Sequence, residues 1–103
     1  MEKSKEVYKI VTEIPFGKVM TYGQIGKIVG VNPRLVGRIL HENLNPAEIP
    51  CHRVVNSRGE VAKHYAFGGN EAQERKLKQE GVVFIGGRVN LEKCLYSGKL
   101  LTS

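Results

Sequence analysis

Three side chains that can do chemistry together, Cys51, His52 and Arg53, stand side by side, with Pro50 before them and an apolar pair after them. A thiolate is the most nucleophilic group that a side chain offers near neutral pH, and a neighbouring imidazole and guanidinium both favour the charged form. The segment therefore indicates an acceptor in a group-transfer reaction. A Cys-His pair is also common in protein cores, where the cysteine acts as a small hydrophobe, so both interpretations stand at this point.

The composition limits the classes of protein. The chain of 103 residues has room for one domain, taken as residues 1–103, and its net charge of +6 favours an anionic partner, either a nucleic acid or a membrane surface. It has no apolar run of the roughly 18 residues that a membrane span needs and no signal peptide, so we expect a soluble, intracellular, cytoplasmic protein. Two cysteines without C-x-x-C or zinc spacing predict neither a disulfide framework nor a metal site.

Helical periodicity begins near the N-terminus. Ser4 is a candidate N-cap, and Pro15 and Gly17 are expected to stop the helix. Between these limits, apolar residues recur at the spacing of one buried face: Val7, Ile10, Val11 and Ile14.

Two short helices joined by a tight turn are predicted next. Thr21 and Gln24 have the spacing of a capping box, which starts a helix at Tyr22, and Gly30 is a natural end for that helix. Asn32-Pro33 is a cap residue followed by a proline at the first helical position, so it restarts a helix after a turn of about three residues. The pattern predicts a helix-turn-helix.

The second of these helices has two unlike faces. The apolar face consists of Leu35, Val36, Ile39 and Leu40, and the opposite face of Arg34, Gly37, Arg38 and His41. A glycine between two arginines lets a phosphodiester backbone approach closely, where the arginines can meet phosphates or enter a groove. The alternative is a solvated charged face. The glycine and the net charge favour nucleic acid.

Loops surround the Cys-His segment. Asn43 lies in a loop that leads to Pro50, either as a turn residue or as a bridge between the helix and the segment that carries the thiol. Residues 54–61 suggest a small hairpin around a turn at 56–59. The loop at 63–69 contains aromatic residues and glycines and can close over a flat group.

One more helix and one more hairpin follow. Asn70 and Gln73 are expected to cap a polar helix that runs to Glu80, and Gly81 ends it. Residues 82–91 predict a hairpin on a two-glycine turn.

Several of these segments together resemble the catalytic domain of O6-alkylguanine-DNA alkyltransferases. The resemblance covers about residues 5–85 and rests on Pro50-Cys51-His52-Arg53-Val54-Val55, Thr21-Tyr22-Gly23, Pro33-Arg34-Leu35-Val36-Gly37, the Tyr65 to Gly69 loop and Glu80-Gly81. It implies a mostly α-helical, winged-helix-like fold with small β hairpins. It also implies a monomeric DNA repair protein without a cofactor, which flips O6-alkylguanine out of double-stranded DNA and moves the alkyl group irreversibly to the cysteine.

Carried over residue by residue, the resemblance implies catalytic roles. Cys51 would be the nucleophile and alkyl acceptor. His52 would be its base through a bridging water, because neighbours in an extended segment point to opposite sides. Glu80 would hold the imidazole in the correct tautomer. Tyr22 would protonate the departing guanine at a ring nitrogen, and Asn43 would be the hinge between the second helix and the thiol segment.

The resemblance also implies binding residues. Arg34 would enter the base stack and fill the gap left by the extruded base, or would contact a phosphate only. The other implied DNA contacts are Thr21, Tyr22, Gly37, Arg38 and Arg53. The implied walls of the base pocket are Pro50, Tyr65, Ala66, Gly68 and Gly69.

The chain departs from the family pattern in ways that bear on function. We expect a stand-alone catalytic module, without the domain that usually precedes it in the family. Phe67 is inserted before the glycine pair, and Gln73 stands where many members have a lysine. Alkyltransferase-like proteins share the fold, also lack the preceding domain, and bind the lesion and recruit other repair factors without transfer. Most of them replace the cysteine, so Cys51, His52 and Glu80 together favour the active enzyme. A winged-helix transcription regulator is a third hypothesis, which rests on the helix-turn-helix alone.

Overall fold

A computed structural model describes residues 3–45, 47–62 and 68–97 of the chain. The elements in these ranges are α1 (Ser4–Thr12), β1 (Met20–Thr21), α2 (Tyr22–Val29), α3 (Pro33–His41), a 3₁₀ turn (Cys51–Arg53), β2 (Val54–Val55), α4 (Gly69–Gln79), β3 (Phe84–Ile85), β4 (Arg88–Val89) and α5 (Leu91–Cys94). The predicted mostly helical fold with small sheets is confirmed. Within the described ranges, no helix has the length and apolar character to cross a membrane.

The first helix buries the face that its periodicity predicts. Its core residues are Val7, Ile10 and Val11, and Ile14 follows them in the next loop. The predicted cap by Ser4 is wrong, because Lys3 already has helical backbone angles, so Ser4 is the first residue of α1 and not its cap.

The predicted helix-turn-helix is confirmed in α2 and α3. The Thr21 hydroxyl accepts a hydrogen bond from the Gln24 amide at 3.0 Å, and the Gln24 side chain accepts one from the Thr21 amide at 2.8 Å. Gly30 ends α2 with a φ of +88°. The Asn32 side chain caps α3 by accepting from the Leu35 amide at 2.9 Å. Each of these features is local, so each is visible in the sequence.

Gly26 lets the turn between α2 and α3 close tightly. The backbone amides of Gly30 and Val31 both donate to the Gly26 carbonyl, at 2.7 and 2.9 Å. A Cβ atom on Gly26 would lie 2.5 Å from the Val31 carbonyl oxygen, a distance that real Cβ atoms essentially never show. The angle between the two helices therefore depends on a bare backbone at position 26.

The strand after the thiol pairs with a different partner from the one predicted. β2 lies parallel to β1, with Val54 opposite Met20 and Val55 opposite Thr21. The predicted hairpin with residues 60–61 is therefore wrong.

Residues 56–60 instead form a compact turn. The Asn56 side-chain oxygen accepts hydrogen bonds from the Arg58 and Glu60 amides, at 2.9 Å each. An asparagine that satisfies the backbone locally competes with strand pairing, which explains why the chain turns here without forming a second strand.

The β1–β2 sheet separates two apolar clusters. Met20 and Val54 belong to the cluster formed with α1, α2 and α3, whereas Val19 and Val55 belong to the cluster formed with α4, the last hairpin and α5. This division follows from the alternation of side chains along a strand. Cys51 belongs to the first cluster, so the thiol shares a core with α3.

The second predicted hairpin is confirmed. β3 and β4 are antiparallel, and the turn between them consists of Gly86 and Gly87, with φ values of +61° and +81°. Positive φ at both central positions is what a type I′ hairpin turn requires. The Val89 amide donates to the Gly59 carbonyl at 2.8 Å, which attaches the hairpin to the turn at 56–60.

Candidate functional site

The thiol segment is a 3₁₀ turn and not the extended segment predicted. The Arg53 amide donates to the Pro50 carbonyl at 2.9 Å, and the turn leads directly into β2. Cys51, His52 and Arg53 are 6%, 7% and 8% exposed. Successive side chains in a 3₁₀ turn are about 120° apart, so the thiol, the imidazole and the guanidinium leave the backbone in three directions.

The structure brings His52 and Glu80 together across 28 positions of sequence. Glu80 is the C-cap residue of α4, and its Oε2 lies 2.8 Å from His52 Nε2. Because an ionised carboxylate only accepts, Nε2 carries the proton of the neutral ring and Nδ1 is the basic atom. His52 Nδ1 is buried and has no hydrogen-bond partner among the described residues.

The electrostatics of this pair suit a general base. Burial lowers the pKa of His52 below its ordinary value of 6.5, and the hydrogen bond to Glu80 offsets that shift only in part. Burial alone would raise the pKa of Glu80, but the hydrogen bonds from Arg53 and His52 outweigh it and hold that pKa below 4.5. At pH 7 a neutral imidazole therefore faces an ionised carboxylate.

Arg53 is engaged within the protein. Its Nε and Nη2 donate to the two carboxylate oxygens of Glu80 at 2.8 and 2.9 Å, and its Nη1 donates to the Ile14 carbonyl at 2.7 Å. The Phe16 ring covers the guanidinium, with its centroid 4.6 Å from Cζ. These partners enclose the guanidinium, which does not favour the DNA contact that the resemblance implies for Arg53, and that contact stays a prediction.

Thr21 and Tyr22 are neighbours with different environments. Thr21 is 9% exposed and its hydroxyl is used in the cap of α2, which does not favour a DNA contact by this side chain, and that contact also stays a prediction. Tyr22 is partly buried, and its ring lies beside Gly37, where a Cβ would be 3.8 Å from Tyr22 Cε1. Burial raises the pKa of the Tyr22 hydroxyl, and the negative charge of an ionised Cys51 adds to the shift, so the phenol keeps its proton.

The outer face of α3 is basic and open, as predicted. Arg34, Arg38 and His41 are exposed and Gly37 is partly so, whereas Val36, Ile39 and Leu40 are buried. Tyr22, Pro33, Arg34 and Gly37 line a shallow groove of about 280 Å³ on this face.

A second cavity, of about 500 Å³, lies on another side of Tyr22. It is lined by Tyr22, Asn56, Glu60, Val61, Ala62, Asn70, Glu74 and Gly87. Tyr22 is thus a shared wall between the groove on α3 and this cavity, whose volume is in the range of about 300–1,000 Å³ typical of ligand sites.

The structure describes three of the five residues that are predicted to line the base pocket. Pro50 is buried directly before Cys51, and Gly68 and Gly69 lie at the beginning of α4, next to Asn70 of the cavity. The predictions for Tyr65 and Ala66 lie outside the described residues.

Asn43 combines the two roles that its sequence position left open. It is 3% exposed, its Nδ2 donates to the Ile49 carbonyl at 3.0 Å, and its Oδ1 accepts from the Asn45 amide at 2.9 Å. One side chain therefore forms the turn after α3 and ties it to the segment two residues before Cys51.

Gln73 has a structural role that sequence reasoning missed. The predicted cap by Asn70 and Gln73 is wrong, because α4 begins at Gly69 and the Gln73 side chain is 1% exposed. Its Nε2 donates to the carbonyls of His52 and Val54 at 3.0 and 2.9 Å. A glutamine in a polar helix carries no sequence signal for such a position. In the part of the chain that the structure describes, no group of His, Cys, Asp and Glu could hold a metal ion.

Comparisons with known proteins identify the family of the chain. A model described as the DNA-binding domain of 6-O-methylguanine DNA methyltransferase matches residues 2–82. Alkyltransferase-like protein 1 of Schizosaccharomyces pombe is 44% identical over 80 residues, which cover 75% of this chain and 73% of that protein. The methylated-DNA–protein-cysteine methyltransferase of Methanocaldococcus jannaschii is 52% identical over 69 residues, which cover 65% of this chain but 39% of that protein.

A solved structure extends the match to the fold. The crystal structure of the Schizosaccharomyces pombe protein in complex with damaged DNA containing O6-carboxymethylguanine has a TM-score of 0.82 at 35% identity, over 93% of this chain and 95% of that one. Together these matches show that the chain belongs to the 6-O-methylguanine DNA methyltransferase family, whose DNA-binding domain it contains.

Proposed function

We propose that this protein repairs DNA by moving the alkyl group of an O6-alkylguanine irreversibly to the sulfur of Cys51. The observation that carries the proposal is the hydrogen bond of 2.8 Å between Glu80 and His52. His52 lies in the same 3₁₀ turn as Cys51. A thiol next to an imidazole that is oriented by a carboxylate is the arrangement of an activated nucleophile.

Duplex DNA would dock on the outer face of α3. The exposed Arg34 and Arg38 and the net charge of +6 suit phosphate contacts. The groove beside Gly37 and the cavity of about 500 Å³ share Tyr22 as a wall, so a base turned out of a duplex on α3 would meet Tyr22 first. Cys51 is only 6% exposed, so a base stacked in the duplex cannot reach it, and the lesion has to be swung out and inserted into the protein.

The chemistry balances with the residues present. His52 Nδ1 takes the thiol proton through a bridging water, and the thiolate attacks the alkyl carbon. A C–S bond forms as the bond from that carbon to O6 breaks, with the electron pair leaving on the guanine. Tyr22 donates its proton to a guanine ring nitrogen, and the proton held by His52 returns to the tyrosinate. A neutral guanine is a better leaving group than its anion, so the protonation lowers the barrier.

A second candidate is a lesion-binding protein that transfers nothing. It is favoured by the similarity to alkyltransferase-like protein 1, which is 44% identical over 80 residues, and by the burial of the thiol. In this function the groove and the cavity would bind the lesion as proposed, and Cys51 would only pack in the core.

Intact-protein mass spectrometry separates the two functions. After incubation with a duplex that contains O6-methylguanine, we expect one added methyl group per chain, located on Cys51. Cys51→Ser should gain none. Cys94→Ser should gain one methyl group, because Cys94 is also buried but belongs to the other apolar cluster. Tight binding of the lesion duplex by an unmodified wild-type chain would reject transfer in favour of the second candidate.

A further inference from the structure

We propose that Arg53 is a positioning residue for the Glu80–His52 pair, and that the loop of residues 14–17 holds Arg53 in place. The expected effect of Arg53 on alkyl transfer rests on the function proposed above. The expected effect of Arg53 on the His52 ring does not depend on that function. The Arg53 contacts carry it. The guanidinium reaches both Glu80 oxygens and the Ile14 carbonyl at distances of 2.7–2.9 Å.

The two hydrogen bonds from Arg53 to the two oxygens of Glu80 form a fork, which fixes the plane of the carboxylate. A glutamate at the end of a helix can rotate about its last side-chain bonds, and a single hydrogen bond from His52 leaves that rotation open. Two parallel N–H donors from Arg53 remove it, because they hold both oxygens at once. Glu80 Oε2 then accepts from Arg53 Nη2 and from His52 Nε2 together, so the direction of the imidazole follows from the direction of the guanidinium.

The loop of residues 14–17 touches both members of the ion pair. Ile14 accepts from Arg53 through its carbonyl, and the Phe16 ring lies on the guanidinium face. Gly17 lies against the backbone of Glu80, since a Cβ there would be 3.3 Å from the Glu80 carbonyl oxygen. These contacts come from three residues within four positions, which a loop that merely connects α1 to β1 does not require.

The exposure of Phe16 supports the same conclusion. Its side chain is 74% exposed, so it adds little to the apolar core. A ring over a guanidinium has a different use, because it excludes water from that face and attracts the positive charge through the cation–π interaction. Phe16 therefore covers a buried ion pair whose Arg53 and Glu80 side chains are 10% and 11% exposed.

The decisive measurement is the ¹⁵N spectrum of the His52 ring in the full-length chain. In the wild type we expect the shifts of the tautomer protonated on Nε2. Arg53→Lys keeps the positive charge but loses the fork, so we expect the shifts to move toward an average of the two tautomers. Phe16→Leu should move them in the same direction by less, and Phe16→Tyr, which keeps the ring face, should restore the wild-type shifts.

A matched control is available on α4. Lys78 Nζ lies 5.3 Å from the centroid of the Phe84 ring, so Phe84→Leu removes a cation–π contact that does not involve Glu80. Its His52 shifts should equal those of the wild type. If Arg53→Lys lowers stability but leaves the His52 shifts unchanged, Arg53 is only structural and the proposal is wrong. If Arg53→Lys does not fold, unchanged shifts in Phe16→Leu overturn the proposal.

A kinetic measurement links the inference to function. In single-turnover transfer from a lesion duplex, Arg53→Lys should be about 10- to 100-fold slower, the range known for residues that orient a metal-binding histidine, while the Kd for the duplex is unchanged. An unchanged transfer rate would contradict the positioning role. A wild type without transfer would reject the proposed function, and the ring shifts would still decide the role of Arg53.

Discussion

The helix-turn-helix and the site around Cys51 are built in opposite ways. In the first, the cap, the turn glycine and the restart proline are neighbours between Thr21 and Pro33. In the second, the turn at 51–53, the loop at 14–17 and Glu80 come from three distant parts of the chain. The basic face of α3 is exposed, whereas the ionic groups around Cys51 are enclosed.

This difference predicts how each region responds to the loss of one charged side chain. An exposed basic face tolerates the loss of one charge, because water solvates what remains. An enclosed network does not, since removing one partner leaves another charged group buried without compensation. The predictions below test this contrast, from the largest expected effect to the smallest.

The largest effect is expected for Glu80→Gln. The change removes the carboxylate that neutralises Arg53 and orients His52, so we expect the free energy of unfolding to fall by about 3–5 kcal/mol. Urea unfolding measures it. Glu74→Gln is the matched control on the same helix, because Glu74 pairs with Lys78 at 2.8 Å with side chains 36% and 56% exposed. The control should cost at most about 1 kcal/mol, and equal losses would contradict the contrast.

Gly26→Ala should be the next most damaging change. The new methyl group would meet the Val31 carbonyl oxygen at 2.5 Å, so α3 has to shift, and we expect a loss of about 1–3 kcal/mol in urea unfolding. Affinity for DNA should fall with it, because the shift moves the basic face. A gain in stability, as for an ordinary glycine in a helix, would show that the turn is not tight.

Acidification should destabilise the protein through His52. Its pKa is lowered in the folded state, so the unfolded chain takes up a proton as the pH falls through 6.5 while the folded chain does not. Stability should be full above that pH and decline below it, by at most about 1.4 kcal/mol per pH unit. The lowered pKa of Glu80 adds a second loss below pH 4.5. Unfolding curves at several pH values measure this, and His52→Gln should flatten the decline between pH 7 and 5.5.

Arg34→Ala should weaken repair of duplex DNA by about tenfold, or 1.4 kcal/mol, without changing stability, because the side chain is exposed. Reaction with a free base analogue such as benzylguanine should change less, since no base has to be extruded from a stack. Single-turnover assays on both substrates measure the difference. Equal losses on both would remove Arg34 from base extrusion.

Gly37→Ala should have the smallest effect on the protein itself. The nearest neighbour of the added methyl group is Tyr22 at an ordinary 3.8 Å, so stability should be unchanged or rise by up to about 1 kcal/mol. Affinity for duplex DNA, measured by fluorescence anisotropy at one salt concentration, should fall about threefold to tenfold. The reason is that the added methyl group keeps the phosphodiester backbone of the DNA away from α3. Unchanged affinity would show that DNA does not approach at position 37.

Whether a prediction from sequence is confirmed depends on how far apart in the chain the interacting residues are. The capping box at Thr21, the end of α2 at Gly30 and the hairpin on Gly86-Gly87 are confirmed, because neighbouring residues set them. The partner of β2 was predicted wrongly, since Val54 pairs with a strand 34 positions away and not with the next segment. Gln73 was assigned to a helix cap, although the fold buries it against the thiol turn.

The sequence by itself determined the chemical groups, the basic face of α3 and the turn that carries it, because residue type and local spacing suffice for these. Only the tertiary structure decided which groups meet. Arg53 has the residue type of a DNA contact, but in the fold its guanidinium contacts Glu80 and Phe16. The physical reason is that a guanidinium binds a phosphate and a carboxylate equally well, so its partner depends on which anion the packing of the core brings within 3 Å of it.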